Sequence, residues 1–125
     1  MDFKNIRFTK EHEWVRVEGD EATIGITDFA AGELGDIVYV ELPKVGAAVK
    51  ATQSMGTIEA VKTVADLFAP VSGSVSAVNP ELEQHPDLVN QDPFGNGWFV
   101  RVTLRDRKEF DALMDHAAYQ SMIGK

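Results

Sequence analysis

Two stretches of the chain, "DIVYVELPKVGAAVK" (36–50) and "DLFAPVSGSVSAV" (66–78), share one punctuation. In each, a strand-like run stops at a proline, two residues pass, and a glycine turns the chain into a second run. Pro43 and Pro70 lie 27 positions apart, and so do Gly46 and Gly73. Proline cannot donate to a sheet ladder and so ends a strand, while glycine supplies the turn. Two such units suggest an internal two-fold repeat of short strands, in a β-rich chain whose segments are too short for long helices. Chance placement of common turn residues would give the same spacing, so the repeat alone leaves the fold open.

The flanks extend the pattern. "EWVRVE" (13–18) and "EATIGIT" (21–27) alternate and are joined by Gly19-Asp20, a hairpin signal. Asp28 is placed to cap a short helix through "FAAGEL", weakened by Gly32 and ended by Gly35. Residues 81–97 read as an irregular acidic loop with turns at Pro86, Pro93 and Gly95-Asn96-Gly97, and "WFVRVTL" (98–104) reads as a strand. Over 106–123 the pattern predicts a helix. Asp106 and Glu109 have capping-box spacing, Phe110, Leu113, Met114 and Ala117 make an apolar face, and Gly124 follows. At 125 residues, one domain spanning 1–125 is expected.

Charge narrows the function classes. The formal net is −8, and residues 11–100 hold 15 of the 20 acids but 4 of the 12 bases. That field repels nucleic acid and anionic membrane and favours partners with basic surfaces, although solubility alone explains many acidic surfaces. No apolar run approaches the ~18 residues of a membrane span. The start, "MDFKNIRFTKEHEW", lacks the apolar core of a secretory signal, so the bacterial cytoplasm is the expected compartment. The absence of cysteine excludes a thiolate catalyst, a disulfide framework and a Cys-type zinc site.

Against this background one base stands out. Lys62 is the only Lys or Arg between positions 51 and 100. Read locally, "EAVKTVADLFA" fits an amphipathic helix, with Val61, Ala65 and Phe68 on one face and Lys62 solvated. Gly56, Pro70 and the neighbouring strands favour two strands instead, with Lys62 near the bend. No Asn-Gly or Asp-Gly marks that bend, so pattern alone leaves both readings standing.

The residues around Lys62 carry a resemblance. "GTIEAVKTVADLFAPVSGSVSAVN" is similar to the lipoyl-lysine segment of the glycine cleavage system H protein family. Further blocks match in family order: "FTKEHEWVRVEGDEATIGITDFA", "LGDIVYVELPKVGAAV", "LVNQDPFGNGWFVRV" and the terminal helix, over roughly residues 6–123. The resemblance implies a mainly β barrel-sandwich hybrid fold with a short helix in the N-terminal third and a C-terminal helix. It places the lipoyl hairpin at about 54–70 and lipoate in amide linkage on Lys62. A monomeric, non-catalytic carrier is implied, visiting three enzymes. These are a pyridoxal-phosphate glycine decarboxylase, a tetrahydrofolate-dependent aminomethyltransferase and dihydrolipoyl dehydrogenase. Lipoate-attaching enzymes would modify it, with Glu59 as part of the mark they recognise. Departures from the family pattern fall at Ala60, where Ser is usual, and at Phe29 and Ala31.

The remaining constellations are weaker. "HEW" (12–14) suggests a metal or acid–base pair, but His12 and Glu13 are adjacent, and on a strand they would face opposite sides. His85 and His116 have no ligand spacing, and no metal is expected. By resemblance, Glu13 and Asp66 border the cleft that receives the aminomethyl-loaded arm, with Ile26, Ala30 and Leu34 as apolar lining; ordinary surface acids are the alternative. Trp14, Phe94, Trp98 and Phe99 read as structural. Three rivals remain: a carrier relaying lipoyl groups to other enzymes, a biotin carrier, and a small lyase or hydrolase using Glu13 and Asp66. Val61 and Thr63 stand where a biotin carrier normally has Met on both sides of its lysine.

Overall fold

A computed structural model describes residues 4–125; residues 1–3 of the expected 1–125 domain lie outside the described residues. The strands are short because turn residues interrupt them, and among the described residues nine pack into two antiparallel sheets. In the larger sheet the order is β1 (Ile6–Phe8), β2 (Glu13–Glu18), β3 (Glu21–Ile26), β9 (Val100–Leu104), β8 (Gly73–Val78) and β5 (Ala48–Val49). The smaller sheet has β6 (Ser54–Ala60) between β4 (Ile37–Glu41) and β7 (Val64–Phe68). Val15, Ile24, Val75, Val100 and Val102 from the first sheet meet Val40, Ile58 and Leu67 from the second in one buried core. This is the barrel-sandwich hybrid that the resemblance implied.

Local chemistry sets the register. Gly19 (φ 64°) and Asp20 close the β2–β3 hairpin, with Glu18 opposite Glu21. The two Pro-x-x-Gly units meet as an antiparallel pair, Ala48 opposite Ser74 and Val49 opposite Gly73. At Gly56 only a missing side chain fits, since a Cβ there would run into the Glu41 carbonyl of β4. The β6–β7 pairing runs from Ser54↔Phe68 to Glu59↔Val64, so the helical reading of 59–69 gives way to a hairpin.

Three local expectations are corrected. α1 (Asp28–Leu34) is capped by Thr27, whose extended backbone lets its hydroxyl accept from the Ala30 N–H at 3.2 Å; Asp28 is the first helical residue instead. The 81–97 loop contains a 3₁₀ turn (Pro80–Glu83) and α2 (Leu88–Gln91). Asn90 at its centre donates to the Gly35 carbonyl (2.8 Å) and accepts from the Ile37 N–H (3.0 Å), tying the loop to the α1–β4 connection.

The expected helix over 106–123 is two helices, α3 (Arg107–Asp111) and α4 (His116–Met122). Met114 is pulled out of helical bonding because its N–H and carbonyl both pair with Phe8 (3.1 and 2.8 Å). The break turns Ala117 to solvent and seats Tyr119 beside Ile6, Phe8 and Trp14 in a second cluster. Glu109 does not close a capping box, since its carboxylate accepts from the Ser72 N–H and hydroxyl (2.8 and 2.9 Å). Asp115 restarts the helix by accepting from the Ala118 N–H at 2.9 Å. Asp115→Ala is therefore expected to cost about 1 kcal/mol, read as a lower urea midpoint at unchanged slope.

Candidate functional site

The β6–β7 hairpin projects Lys62 at its tip. The Ala60 N–H donates to the Thr63 carbonyl (2.8 Å) and the Val61 N–H to the Asp36 carbonyl (3.0 Å), so the bend is held by backbone bonds. Residues 61–64 are all exposed, with Val61 and Val64 flanking the lysine. Among the described residues no hydrogen bond or ion pair engages the Lys62 amine. A base with no structural partner, on a tip whose geometry does not need it, is free for chemistry. Glu59 sits on the exposed face of the small sheet, between Tyr39 and Val64 across the strands.

A cavity of about 220 Å³ lies along the outer edge of β7. Glu13, Ile26, Ala30, Leu34 and Asp66 all line it. Asp66 is four positions from Lys62, roughly 13 Å along the strand at ~3.3 Å per residue. A four-carbon stem and an attached chain of similar length can fold back over that span. A larger apolar cavity of about 480 Å³ sits at the base of the hairpin and shares Glu11, Glu13 and Phe68 with the first. The smaller cavity is the one nearer to Lys62, and proximity rather than size marks it as the candidate site.

Glu13 stands between the two cavities and is almost wholly buried, at 2% exposure. The Thr9 hydroxyl donates to its Oε1 (2.6 Å), and the Phe68 N–H on the free edge of β7 donates to Oε2 (3.4 Å). Among the described residues no base is paired with it. Burial pushes its carboxyl up to about 7, against the lowering effect of the Thr9 and Phe68 hydrogen bonds and with the help of Glu11. Asp66 is exposed, and its Oδ1 accepts weakly from the Ser54 hydroxyl (3.3 Å).

Residues missed by sequence reasoning also line the cavity, among them Glu11, Glu33, Ile58 and His12. The expectation that His12 and Glu13 face opposite sides is overturned. β2 begins only at Glu13, and His12 precedes it in a left-handed conformation (φ 71°). The His12 N–H donates to the Thr9 carbonyl (3.1 Å) and its carbonyl accepts from the Thr27 N–H (3.0 Å). That turn swings the imidazole to the same cavity as Glu13, so strand alternation does not apply. The signal in the sequence was the Thr9 four places before Glu13, a residue able to close a turn onto the strand start.

The chain matches the family model described as Glycine cleavage H-protein over residues 6–125. The glycine cleavage system H protein of Brevibacillus brevis is 54% identical over 124 residues, covering 98% of each chain. That of Staphylococcus carnosus is 50% identical over 122 residues, covering 98% of this chain and 97% of its own. The crystal structure of a glycine cleavage system H protein from Mycobacterium marinum superposes with a TM-score of 0.89 at 34% identity, covering 100% of both chains. The chain belongs to the glycine cleavage H-protein family.

Proposed function

We propose that Lys62 is the residue through which this chain, the lipoyl-carrying shuttle of the glycine cleavage system, holds lipoate in amide linkage. The observation that carries the reading is the exposed, unengaged Lys62 amine at the tip of the β6–β7 hairpin, next to a cavity lined by apolar and acidic side chains. That lining suits an apolar chain attached at one end and cationic at the other. When bound, lipoate supplies a dithiolane that takes up the one-carbon unit of decarboxylated glycine and is restored by oxidation.

The chain's own residues present and shelter this group. The hairpin gives reach and a high effective concentration at each docked partner. Ile26, Ala30 and Leu34 give the seated arm an apolar wall that excludes water, and Glu13 and Asp66 attract a positive end. Asp66 is exposed, and an exposed charge pair contributes only about 0–1 kcal/mol, so its hold on a seated arm is loose enough for the arm to leave for its next enzyme. In this reading the protein is one non-catalytic domain that acts as a monomer in the bacterial cytoplasm. It serves the glycine decarboxylase, the aminomethyltransferase and dihydrolipoyl dehydrogenase in turn. Intact mass of protein purified from a lipoate-replete bacterium tests it. One lipoyl increment mapped to Lys62 is expected, and an unmodified Lys62 would overturn the assignment.

Glu59 is proposed as part of the mark read by the lipoate-attaching enzyme. It is exposed, three residues before Lys62, in a segment with no other base. Glu59→Ala is expected to slow attachment several-fold, in line with the loss of about 1 kcal/mol from one charge contact, while the melting curve stays put. Unchanged attachment kinetics would remove Glu59 from the recognition surface.

A further inference from the structure

His12 lines the candidate cavity, and the carrier reading leaves it without a role. Its Nδ1 lies 2.8 Å from the Tyr119 hydroxyl, which in turn lies 2.7 Å from the Thr27 hydroxyl. The direction of this chain follows from what each group can still satisfy. Thr27 Oγ1 already accepts from the Ala30 N–H, and Thr27 is fully buried. Among the described residues the one group placed to accept its hydroxyl hydrogen in a hydrogen bond is Tyr119 Oη. Tyr119, itself buried, then donates to His12 Nδ1. The reverse direction would make Tyr119 donate to Thr27 and strand the Thr27 hydrogen in the interior, which buried hydroxyls avoid. A neutral imidazole that accepts at Nδ1 carries its hydrogen on Nε2.

That hydrogen acquires meaning from its surroundings. The other ionisable side chains on the cavity wall are Glu11, Glu13, Glu33 and Asp66, all carboxyls. Among the described residues His12 is the only lining side chain with an N–H. We infer that His12 Nε2–H is the donor that seats the carrier arm, by hydrogen-bonding an acceptor atom on it, and that Tyr119 and Thr27 are positioning residues for that donor. The carboxyls take the positive end of the arm and His12 takes an acceptor, so the cavity recognises both kinds of group. The inference rests on the carrier reading of Lys62 for its ligand but not for the tautomer. It also gives α4 a functional task, since Tyr119 links that helix to both His12 and the cap of α1, which forms a cavity wall.

Imidazole nitrogen NMR on unmodified protein tests the first half. The wild type is expected to show His12 as the Nε2–H tautomer, and Tyr119→Phe a mixture of both forms; an Nδ1–H tautomer in the wild type would overturn the proposal. The second half uses lipoylated protein carrying the amine-loaded arm. Loading should slow solvent exchange of His12 Nε2–H about fivefold, as expected for one added hydrogen bond. His12→Phe, which keeps a ring at this half-buried site but has no N–H, should shorten the lifetime of the loaded arm by a similar factor of about five while Lys62 stays fully modified. Unchanged exchange on loading, or an unchanged lifetime in the variant, would overturn the role of His12. An unmodified Lys62 in wild-type protein would instead sink the carrier reading and leave the tautomer result intact.

Discussion

Replacing Lys62 by Ala or Arg is expected to abolish both lipoate attachment and glycine cleavage, with the fold intact. The bend at 61–63 is closed by the Ala60–Thr63 and Val61–Asp36 backbone bonds, and neither uses the lysine side chain. Stability should therefore stay within about ±0.5 kcal/mol of wild type, the usual range for exposed positions. Arginine is the more telling variant. It keeps the positive charge and the long stem, but its guanidinium does not lose a proton and offers no free amine to acylate. A loss of function in both variants would assign the role to the amine itself rather than to charge at the tip. Lys44, Lys50 and Lys125 are the controls, and their substitution should leave attachment unchanged. The measurements are intact mass, glycine cleavage in the presence of the partner enzymes, and a thermal melt. A collapsed melt in Lys62→Ala would mean that the lysine is structural, and full modification of that variant would move the attachment site elsewhere.

The hairpin that carries Lys62 shows how far local pattern reaches. Val61, Ala65 and Phe68 have helical spacing, and nothing in 61–63 announces a turn. The turn exists because β6 finds partners on both sides, β4 and β7, and long-range pairing overrides a local preference. The Gly19-Asp20 hairpin needed no such help, since glycine there takes the left-handed conformation that the connection requires. At the other end, Phe110, Leu113, Met114 and Ala117 read as one helical face. A pair of backbone bonds to Phe8, more than a hundred residues away, breaks it in a way no local period reveals.

The cavity was legible only through family resemblance. Glu13, Ile26, Ala30, Leu34 and Asp66 come from four separate elements, and apart from Ala30 and Leu34, four residues apart on α1, no spacing rule connects them. His12 was misread for a physical reason: a single left-handed residue before a strand cancels the alternation on which face assignments depend. The buried state of Glu13 was equally hidden. A glutamate at the start of a strand looks like surface charge until Thr9 and the edge of β7 close over it.

That burial leads to the second large effect. Glu13 has its folded-state carboxyl raised from 4.5 to about 7, first by desolvation. A group whose folded pKa lies above its unfolded value adds stability that is complete below about pH 4.5. That stability is lost as pH rises through about 7 and does not return above it. At 1.36 kcal/mol per pKa unit, the loss is about 3 kcal/mol. Glu13→Gln keeps the shape and one of the two acceptor oxygens but cannot ionise, so it should lack this slope. The difference in unfolding free energy, wild type minus variant, should fall by about 3 kcal/mol between about pH 4.5 and pH 8 in urea titrations at matched ionic strength. Taking the difference removes the titration of the other acids, which both proteins share. A flat difference would show that Glu13 ionises freely and that its enclosure does not hold in solution. The same proton links stability to cargo. A cation seated in the cavity favours the Glu13 carboxylate and so lowers its pKa. In lipoylated protein with the amine-loaded arm, the wild-type slope should flatten toward that of Glu13→Gln. A carboxyl with no base of its own thus makes the cavity least content when vacant above neutral pH, and the arriving amine relieves that cost.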